Sequence, residues 1–173
     1  MSLTFQIEPV SQCWNEIMVL AHQHWAGTRG YRRHEPFNPS FERYHACNQS
    51  GFFQLFTARD GQKLVAYFGT YLSPSMHSQL LMATEDTMFI EQDYRGGRNA
   101  LRFLKYVLAQ FRAWNVYEVM FSCEIDNETG IKGILLYLDF EPAVVQYRLR
   151  LIPPPHADSV TTSSEESHVG TEI

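Results

Sequence analysis

The feature that most constrains this chain is an apolar strand that leads through a glycine turn into an amphipathic helix. Residues 87–91 have the composition of a strand, residues 95–97 read Arg-Gly-Gly, and the apolar side chains of residues 101–111 then repeat at helical spacing. The turn therefore brings unpaired backbone N–H groups to the positive end of a helix dipole. This arrangement predicts a binding site for a phosphate or pyrophosphate.

Charged and flexible residues in the turn support the same prediction. Arg95 and Arg98 add positive charge, and Gly96 and Gly97 allow the backbone to approach a ligand closely. The alternative is an ordinary strand-to-helix turn with solvated arginines, since a lone Gly-Gly pair is weak support. The strand, the helix and the downstream Asn127 together favour a phosphorylated cofactor.

Composition limits the class of protein. A chain of 173 residues with 45% apolar residues is long enough for one globular domain. Its net charge of -5 argues against a general nucleic-acid binder. No apolar run approaches the roughly 18 residues of a membrane helix, and the N-terminus lacks the pattern of a secretory signal.

Cysteine usage indicates the compartment. Cys13, Cys47 and Cys123 are odd in number and widely spaced, with no pair at the spacing of a metal site. We therefore expect no metal, free thiols and a cytoplasmic location.

Periodicity predicts an α+β domain over residues 1–152. A tail over residues 153–173 begins with three prolines and is rich in Ser, Thr and Glu, so we expect it to be disordered. The predicted elements, in order, are a strand (3–7), helices (9–25 and 38–49), a hairpin of strands (52–58 and 64–71) around a turn (59–62), a strand within 80–91, a helix ending near 114, a strand (117–123), a helix (127–138) and a closing strand (144–151).

This order of elements resembles the GNAT superfamily of acyl-CoA-dependent N-acetyltransferases over residues 3–151. The cofactor loop of that family reads Gln or Arg, two residues, Gly, any residue, then Gly or Ala. Arg95 and Ala100 match its outer positions, whereas Arg98 stands where the middle glycine is expected, and Gly97 takes over that role if the register shifts.

A second match follows downstream. Asn127, a helix and then Asp139-Phe140 resemble the family's pattern of Asn, helix and a Gly-Phe pair, with Asp139 in place of that Gly. The pair His24-Trp25, the loop before His77 and the compact end after Phe140 resemble bacteriophage-encoded members, which implies the host cytoplasm.

The resemblance implies both a fold and a mechanism. The fold is a mixed, mostly antiparallel sheet flanked by helices, with a V-shaped splay between two central parallel strands (87–91 and 117–123). Acetyl-CoA, the implied co-substrate, lies in the splay, and its thioester carbonyl is polarised by backbone N–H groups of residues 89–91. The implied cofactor-binding residues are Phe89, Ile90, Glu91, Arg95, Gly96, Gly97, Arg98, Asn99, Ala100 and Asn127.

The resemblance also implies catalytic candidates. Glu85 and Asp86 stand where family members often place the base that deprotonates the amine, although isolated carboxylates are more often solvated strand-end residues. Tyr137 is a candidate acid for the departing CoA thiolate. It lies two positions beyond Leu135, which occupies the family's tyrosine position, so packing is the alternative role of Tyr137.

Candidate acceptor residues lie elsewhere in the chain. His24, Arg29 and Arg32 fall where the family shapes the acceptor site, and His77 lies in a loop on the scaffold. The basic segment favours an acidic acceptor or the cofactor's phosphates, with a solvated loop as the alternative. We expect transfer to a primary amine of a small molecule or a protein. A non-catalytic acyl-CoA-binding module and a structural unit without cofactor remain alternatives, and the last strand is a candidate dimer contact.

Overall fold

The computed structural model describes residues 3–27, 36–96, 98–123, 128–147, 149 and 151. Within this part of the chain, five strands form one sheet in the order β1-β2-β3-β4-β5, in which only β4 and β5 pair in parallel. The elements are β1 (Thr4–Ile7), α1 (Val10–Gly27), α2 (Phe41–Gln49), β2 (Phe53–Asp60), β3 (Lys63–Pro74), β4 (Leu81–Ile90), a 3-10 turn (Gln92–Tyr94), α3 (Asn99–Ala113), β5 (Glu118–Met120) and α4 (Glu128–Tyr137). The predicted α+β class is confirmed.

Helices cover both faces of the sheet. On one face α1 and α2 pack against Leu55 and Tyr67, and on the other α3 and α4 pack against Phe56 and Phe68. Strands β2 and β3 are therefore buried on both sides, which explains the uninterrupted apolar run of residues 64–68 in β3. The two layers of core fix β4 at the centre of the molecule, between the two sets of helices.

The start of α2 lies later than expected. The sequence predicts a cap at Asn38 followed by a first-turn proline, but the cap is Ser40, whose hydroxyl accepts a hydrogen bond from the backbone N–H of Arg43 at 3.3 Å. Asn38 and Pro39 consequently precede the helix, and both line a cavity described below.

The predicted closing strand is wrong. Residues 141–147 form no strand, and Val144, Val145 and Tyr147 are 67%, 76% and 94% exposed. The alternating pattern of this segment gives a high β-propensity, but a strand forms only where a partner edge is present. Strand β5 is also shorter than predicted, and Phe121 to Cys123 lie outside it.

Arg59 joins the first strand and the first helix to the β2–β3 hairpin. Its guanidinium lies 3.0 Å from Glu8 Oε2 and 2.7 Å from Glu16 Oε2, and the Arg59 and Glu8 side chains are each only 13% exposed. Burial opposes ionisation of Glu8, but hydrogen bonds from Arg59, Thr57 and Gln6 outweigh it and hold the pKa of Glu8 below its usual value.

We expect Arg59→Ala to lower the free energy of unfolding by about 3 kcal/mol, because it leaves a mostly buried carboxylate without its partner. The depressed pKa of Glu8 means that this stabilisation is present above the unfolded-state pKa and is lost as the pH falls through the folded-state pKa. Urea unfolding at neutral and acid pH measures both effects. Equal stabilities of the two proteins at neutral pH would contradict the prediction.

Candidate active site

Strands β4 and β5 separate in the middle of the sheet. Among the described residues, their pairing is limited to Met82–Thr84 of β4 and Glu118–Met120 of β5. Strand β4 continues beyond this pairing to Ile90. Beyond Thr84, that edge of β4 has no paired strand among the described residues, so the predicted V-shaped splay is confirmed. We call this space the β4–β5 opening.

The hydrogen bonds of β4 determine which backbone groups face the β4–β5 opening. The Glu91 N–H donates to the Val65 carbonyl on β3 at 2.9 Å, so this group points away from the opening. Successive residues of a strand direct their backbone groups to alternate edges. Phe89 therefore shares the β3 edge, and the N–H groups of Met88 and Ile90 point into the opening. The resemblance implies that N–H groups of residues 89–91 polarise the thioester carbonyl. Within that range only the Ile90 N–H points into the opening, and the Met88 N–H points there as well.

Side chains at the end of β4 lead to the glycine turn. Arg95 Nε donates to the Ile90 carbonyl at 2.9 Å, and its guanidinium carbon lies 5.3 Å from the centre of the Phe89 ring. The Glu91 carboxylate is 2.5 Å from Lys63 Nζ. Glu91 is therefore directed to the start of β3, and Arg95 reinforces the turn.

The N-terminus of α3 keeps the features of an anion site. Its first turn has no acidic residue, and the Arg98 side chain at the cap position makes no capping hydrogen bond. The Asn99 side chain donates to the Tyr94 carbonyl at 3.1 Å instead. Helix geometry leaves the N–H groups of Ala100 and Leu101 without intrahelical partners. Gly97 and Asn127 lie outside the described residues.

Four described residues other than glycine have a positive φ, and two of them bear on the GNAT pattern. Arg98 has a φ of 64° and Asp139 has a φ of 65°. The GNAT pattern has glycine at both positions. This chain keeps the left-handed backbone conformation there, although the residues are Arg and Asp.

Strain at Arg98 predicts a stability difference between two variants. Arg98→Gly and Arg98→Ala both remove the guanidinium, but only the glycine adopts the left-handed conformation at low cost. We expect Arg98→Gly to be more stable than Arg98→Ala by about 1 kcal/mol. Thermal unfolding of the pair measures this, and a more stable alanine variant would show that the turn does not hold this conformation.

A β-bulge places two side chains of β4 on the same face. Gly69 on β3 pairs with Thr87 and Thr70 pairs with Glu85, which leaves Asp86 as the extra residue. The Asp86 carboxylate accepts a hydrogen bond from the Tyr44 hydroxyl at 3.1 Å, on the side of α2. Nothing in the local sequence predicts this bulge.

His24 contacts Thr87, the residue that follows the bulge. Its Nδ1 lies 3.3 Å from Thr87 Oγ1 and 3.2 Å from the Tyr67 hydroxyl, and its ring stacks on Phe89 at 5.1 Å. Asp86 and Thr87 are therefore both held by side chains of the α1–α2 layer.

A cavity of about 280 Å³ lies between this layer and the sheet. It contains His24 and Asp86, and Asp86 is the one carboxylate among the described residues that line it. Both tryptophans of the N-terminal half contribute. The aromatic lining residues are Trp14, Trp25, Phe37, Tyr44, Phe53 and Tyr67.

The phenols around Asp86 are neutral hydrogen-bond donors. Burial, followed by the negative charge of Asp86, raises the pKa of Tyr44, and the same causes raise the pKa of Tyr71 to about 12. Burial also raises the pKa of Tyr67. These hydroxyls keep their protons at neutral pH and can donate to the carboxylate.

Gly69 leaves the space that this arrangement needs. A Cβ at Gly69 would lie 2.8 Å from a ring carbon of Phe53 and 3.5 Å from Asp86 Oδ2. The Phe53 ring and the Asp86 carboxylate therefore lie close to the β3 backbone, because Gly69 has no side chain there.

Among the described residues, the remaining candidates lie apart from the cavity. Glu85 Oε2 accepts a hydrogen bond from the Ser122 N–H at 3.4 Å, across the β4–β5 opening. His77 lies in the exposed β3–β4 loop. Tyr137 is 66% exposed, with Lys105 Nζ 5.4 Å from its ring centre, whereas Leu135 is buried. Arg29 and Arg32 lie outside the described residues.

Sequence reasoning missed most of the cavity. Trp14 and Tyr44 lie in predicted helices, where aromatic residues are typical of a core, and Phe37 ends a segment that the sequence predicts as a loop. The signal that could have identified them is the concentration of aromatic residues in α1, in α2 and just before α2. No group of three or more potential metal ligands occurs among the described residues, and within that part no helix is long and apolar enough to cross a membrane.

Solved structures resemble this arrangement over most of their length. A ribosomal-protein-alanine N-acetyltransferase from Brucella melitensis biovar Abortus 2308 is 14% identical, with a TM-score of 0.68 over 87% of this chain and 99% of that one. An aminoglycoside acetyltransferase from an uncultured soil metagenomic sample, in complex with sisomicin, is 12% identical, with a TM-score of 0.70 over 87% and 97%. The fold is that of the GNAT N-acetyltransferases.

A third GNAT structure contains a CoA compound. AAC(6')-Iy in complex with the bisubstrate analogue CoA-S-monomethyl-acetylneamine is 14% identical, with a TM-score of 0.67 over 87% of this chain and 99% of that one. No family model and no curated protein matches this sequence. The comparisons give no support to the narrower resemblance to bacteriophage-encoded members.

Proposed function

We propose that this protein is an N-acetyltransferase that uses acetyl-CoA and transfers the acetyl group directly to a primary amine in a ternary complex. The observation that carries the proposal is the position of Asp86. It lies on the bulge of β4, so one strand presents a carboxylate to the cavity and unpaired N–H groups to the β4–β5 opening. The shared GNAT fold supports the same reading.

The described residues fit a pantetheine pyrophosphate cofactor. The α3 N-terminus, with Gly96, Ala100 and the cation of Arg98, would hold the pyrophosphate, because it offers N–H donors without an acidic side chain. When bound, acetyl-CoA supplies the activated acetyl group. The backbone N–H groups of Met88 and Ile90 lie on the correct edge to stabilise negative charge on the thioester oxygen.

The chain's own groups balance the proton transfers. Asp86 takes one proton from the substrate ammonium, with Tyr44 holding the carboxylate in place. The amine nitrogen then bonds to the carbonyl carbon as the C–S bond breaks, and the second N–H proton passes to the CoA sulfur. Tyr137, the candidate acid of the sequence, is 66% exposed on α4, which favours another route for that proton.

The test is transfer itself. The full chain is mixed with acetyl-CoA and a panel of primary amines, and mass spectrometry measures the acetylated amine while a thiol reagent measures CoA. Equal amounts of both products are expected. Acetyl-CoA binding without any transfer would favour the alternative, a non-catalytic acyl-CoA-binding module.

We also propose that the enzyme is cytoplasmic and has no nucleic-acid or membrane partners. A homodimer stays a prediction, and the exposed apolar side chains of Val145, Tyr147, Leu149 and Leu151 are its candidate contact. Light scattering of the full chain measures the oligomeric state.

A further inference from the structure

The described residues that line the cavity combine an aromatic wall with one acidic group. Trp25 and Phe37 lie with ring centres 5.7 Å apart on one side, and Tyr44 and Phe53 lie 5.1 Å apart beside Asp86. Aromatic faces attract both apolar groups and organic cations. The wall therefore suits a ligand with a positive head and an apolar body.

Asp86 lacks a basic partner in the described part of the chain. The ion pairs found there join Arg59 to Glu8 and Glu16, and Lys63 to Glu91. The contacts of Asp86 there are the neutral hydroxyls of Tyr44, at 3.1 Å, and of Tyr71. A carboxylate among aromatic side chains gains most from a ligand that brings its own positive charge.

The size and charge of the cavity limit the ligand further. Its volume of about 280 Å³ lies at the lower end of ligand pockets, which span roughly 300–1,000 Å³. Among the described residues that line it, one carboxylate matches one ammonium group. A polycationic amino sugar would bring several ammonium groups to that one carboxylate.

We propose that the acceptor is a small monoamine, in which one primary ammonium group is attached to an apolar body the size of an aromatic ring. The ammonium binds Asp86, and the body lies against Trp25 and Phe37. This inference rests on the proposed function, because it assigns the substrate class of the same site. It differs from the aminoglycoside acceptors named for two of the structural neighbours.

The first experiment measures binding without acetyl-CoA. Trp14 and Trp25 line the cavity, so a ligand there is expected to change the tryptophan fluorescence. The probe is 2-phenylethylamine, compared with 2-phenylethanol, which lacks the charge, and ethylamine, which lacks the body. We expect each omission to weaken binding at least tenfold. Equal binding of all three compounds would overturn the proposal.

Two further ligands test the alternatives. Neamine carries several ammonium groups, and phenylalanine adds a carboxylate beside its amine. Both are expected to bind at least tenfold more weakly than 2-phenylethylamine. Tighter binding of neamine would identify a polycation site, and tighter binding of phenylalanine would identify an acidic acceptor. Either result would overturn the proposal.

Variants locate the ligand within the molecule. Phe37→Ala is expected to weaken 2-phenylethylamine at least fivefold and to leave ethylamine unchanged, because it removes only the wall. Tyr117→Ala is the matched control, since Tyr117 is an aromatic residue that is 67% exposed and does not line the cavity. Equal weakening of 2-phenylethylamine binding in both variants, or unchanged binding in Phe37→Ala, would contradict the placement of the apolar body against Phe37.

The outcomes separate the two proposals. If acetyl-CoA binds and is consumed but no monoamine changes the fluorescence, the monoamine proposal fails and the acetyltransferase proposal stands. If 2-phenylethylamine binds but acetyl-CoA does not, the acetyltransferase proposal fails while the amine site is supported.

Discussion

Replacing Asp86 with Asn is expected to lower kcat/KM for acetyl transfer by about 10²–10⁴-fold, the usual contribution of a positioned general base. Asparagine keeps the shape of the side chain and still accepts a hydrogen bond from Tyr44, so the fold and the acetyl-CoA site are expected to persist. Steady-state kinetics with a reactive amine, alongside thermal unfolding with acetyl-CoA, separate the loss of catalysis from a loss of structure.

The pH dependence distinguishes a base from a structural residue. At higher pH more of the amine is already deprotonated in solution, so the difference between the Asp86→Asn variant and the wild type is expected to narrow. A purely structural role of Asp86 would give a constant ratio across the pH range. Kinetics over the titration range of the amine measure that ratio.

Glu85→Gln is the matched control for Asp86→Asn. The two carboxylates are adjacent on β4, but Glu85 contacts the Ser122 N–H across the β4–β5 opening and does not line the cavity. We expect its loss to be less than about tenfold, below the range of a general base. A larger loss in Glu85→Gln than in Asp86→Asn would assign the base to Glu85.

Gly96→Glu is expected to abolish stabilisation by acetyl-CoA. A ligand at about 100 times its dissociation constant adds roughly 2.7 kcal/mol to the free energy of unfolding. A glutamate at the α3 N-terminus would repel the pyrophosphate. A Cβ at Gly96 meets no atom within 4 Å, so the variant is expected to fold normally.

Gly133→Glu makes the same chemical change away from the site. Gly133 lies on the exposed side of α4, and a Cβ there also meets no atom within 4 Å. Thermal unfolding with and without acetyl-CoA is expected to show the full shift in Gly133→Glu and none in Gly96→Glu. A shift retained by Gly96→Glu would remove the glycine turn from the cofactor site.

The parts of the fold that the sequence predicted depend on local periodicity. The apolar face of α3, the alternation of β1 and the apolar run of residues 64–68 in β3 arise from near neighbours in the chain, so the pattern alone locates them. The segment that begins at residue 144 has the alternation of a strand, yet residues 144–147 form no strand, because strand pairing requires an edge that the local pattern does not describe.

The site was harder to predict because it depends on register and packing. One extra residue in β4 brings Asp86 and Thr87 to the same face, and no residue type marks that bulge. The wall beside Asp86 combines Trp14, Phe37 and Tyr44 from separate segments, each of which reads as ordinary core by itself. Asp86 and His24 were expected near the acceptor because the resemblance to the GNAT family indicated their elements.

The most direct test of the central claim is calorimetric titration of the full chain with acetyl-CoA, followed by addition of 2-phenylethylamine to the complex. We expect one acetyl-CoA site per chain. After the amine is added, we expect one CoA and one N-acetylated amine for each acetyl-CoA consumed. Absence of any acetyl-CoA binding would contradict the account and leave the glycine turn as a plain connection between β4 and α3.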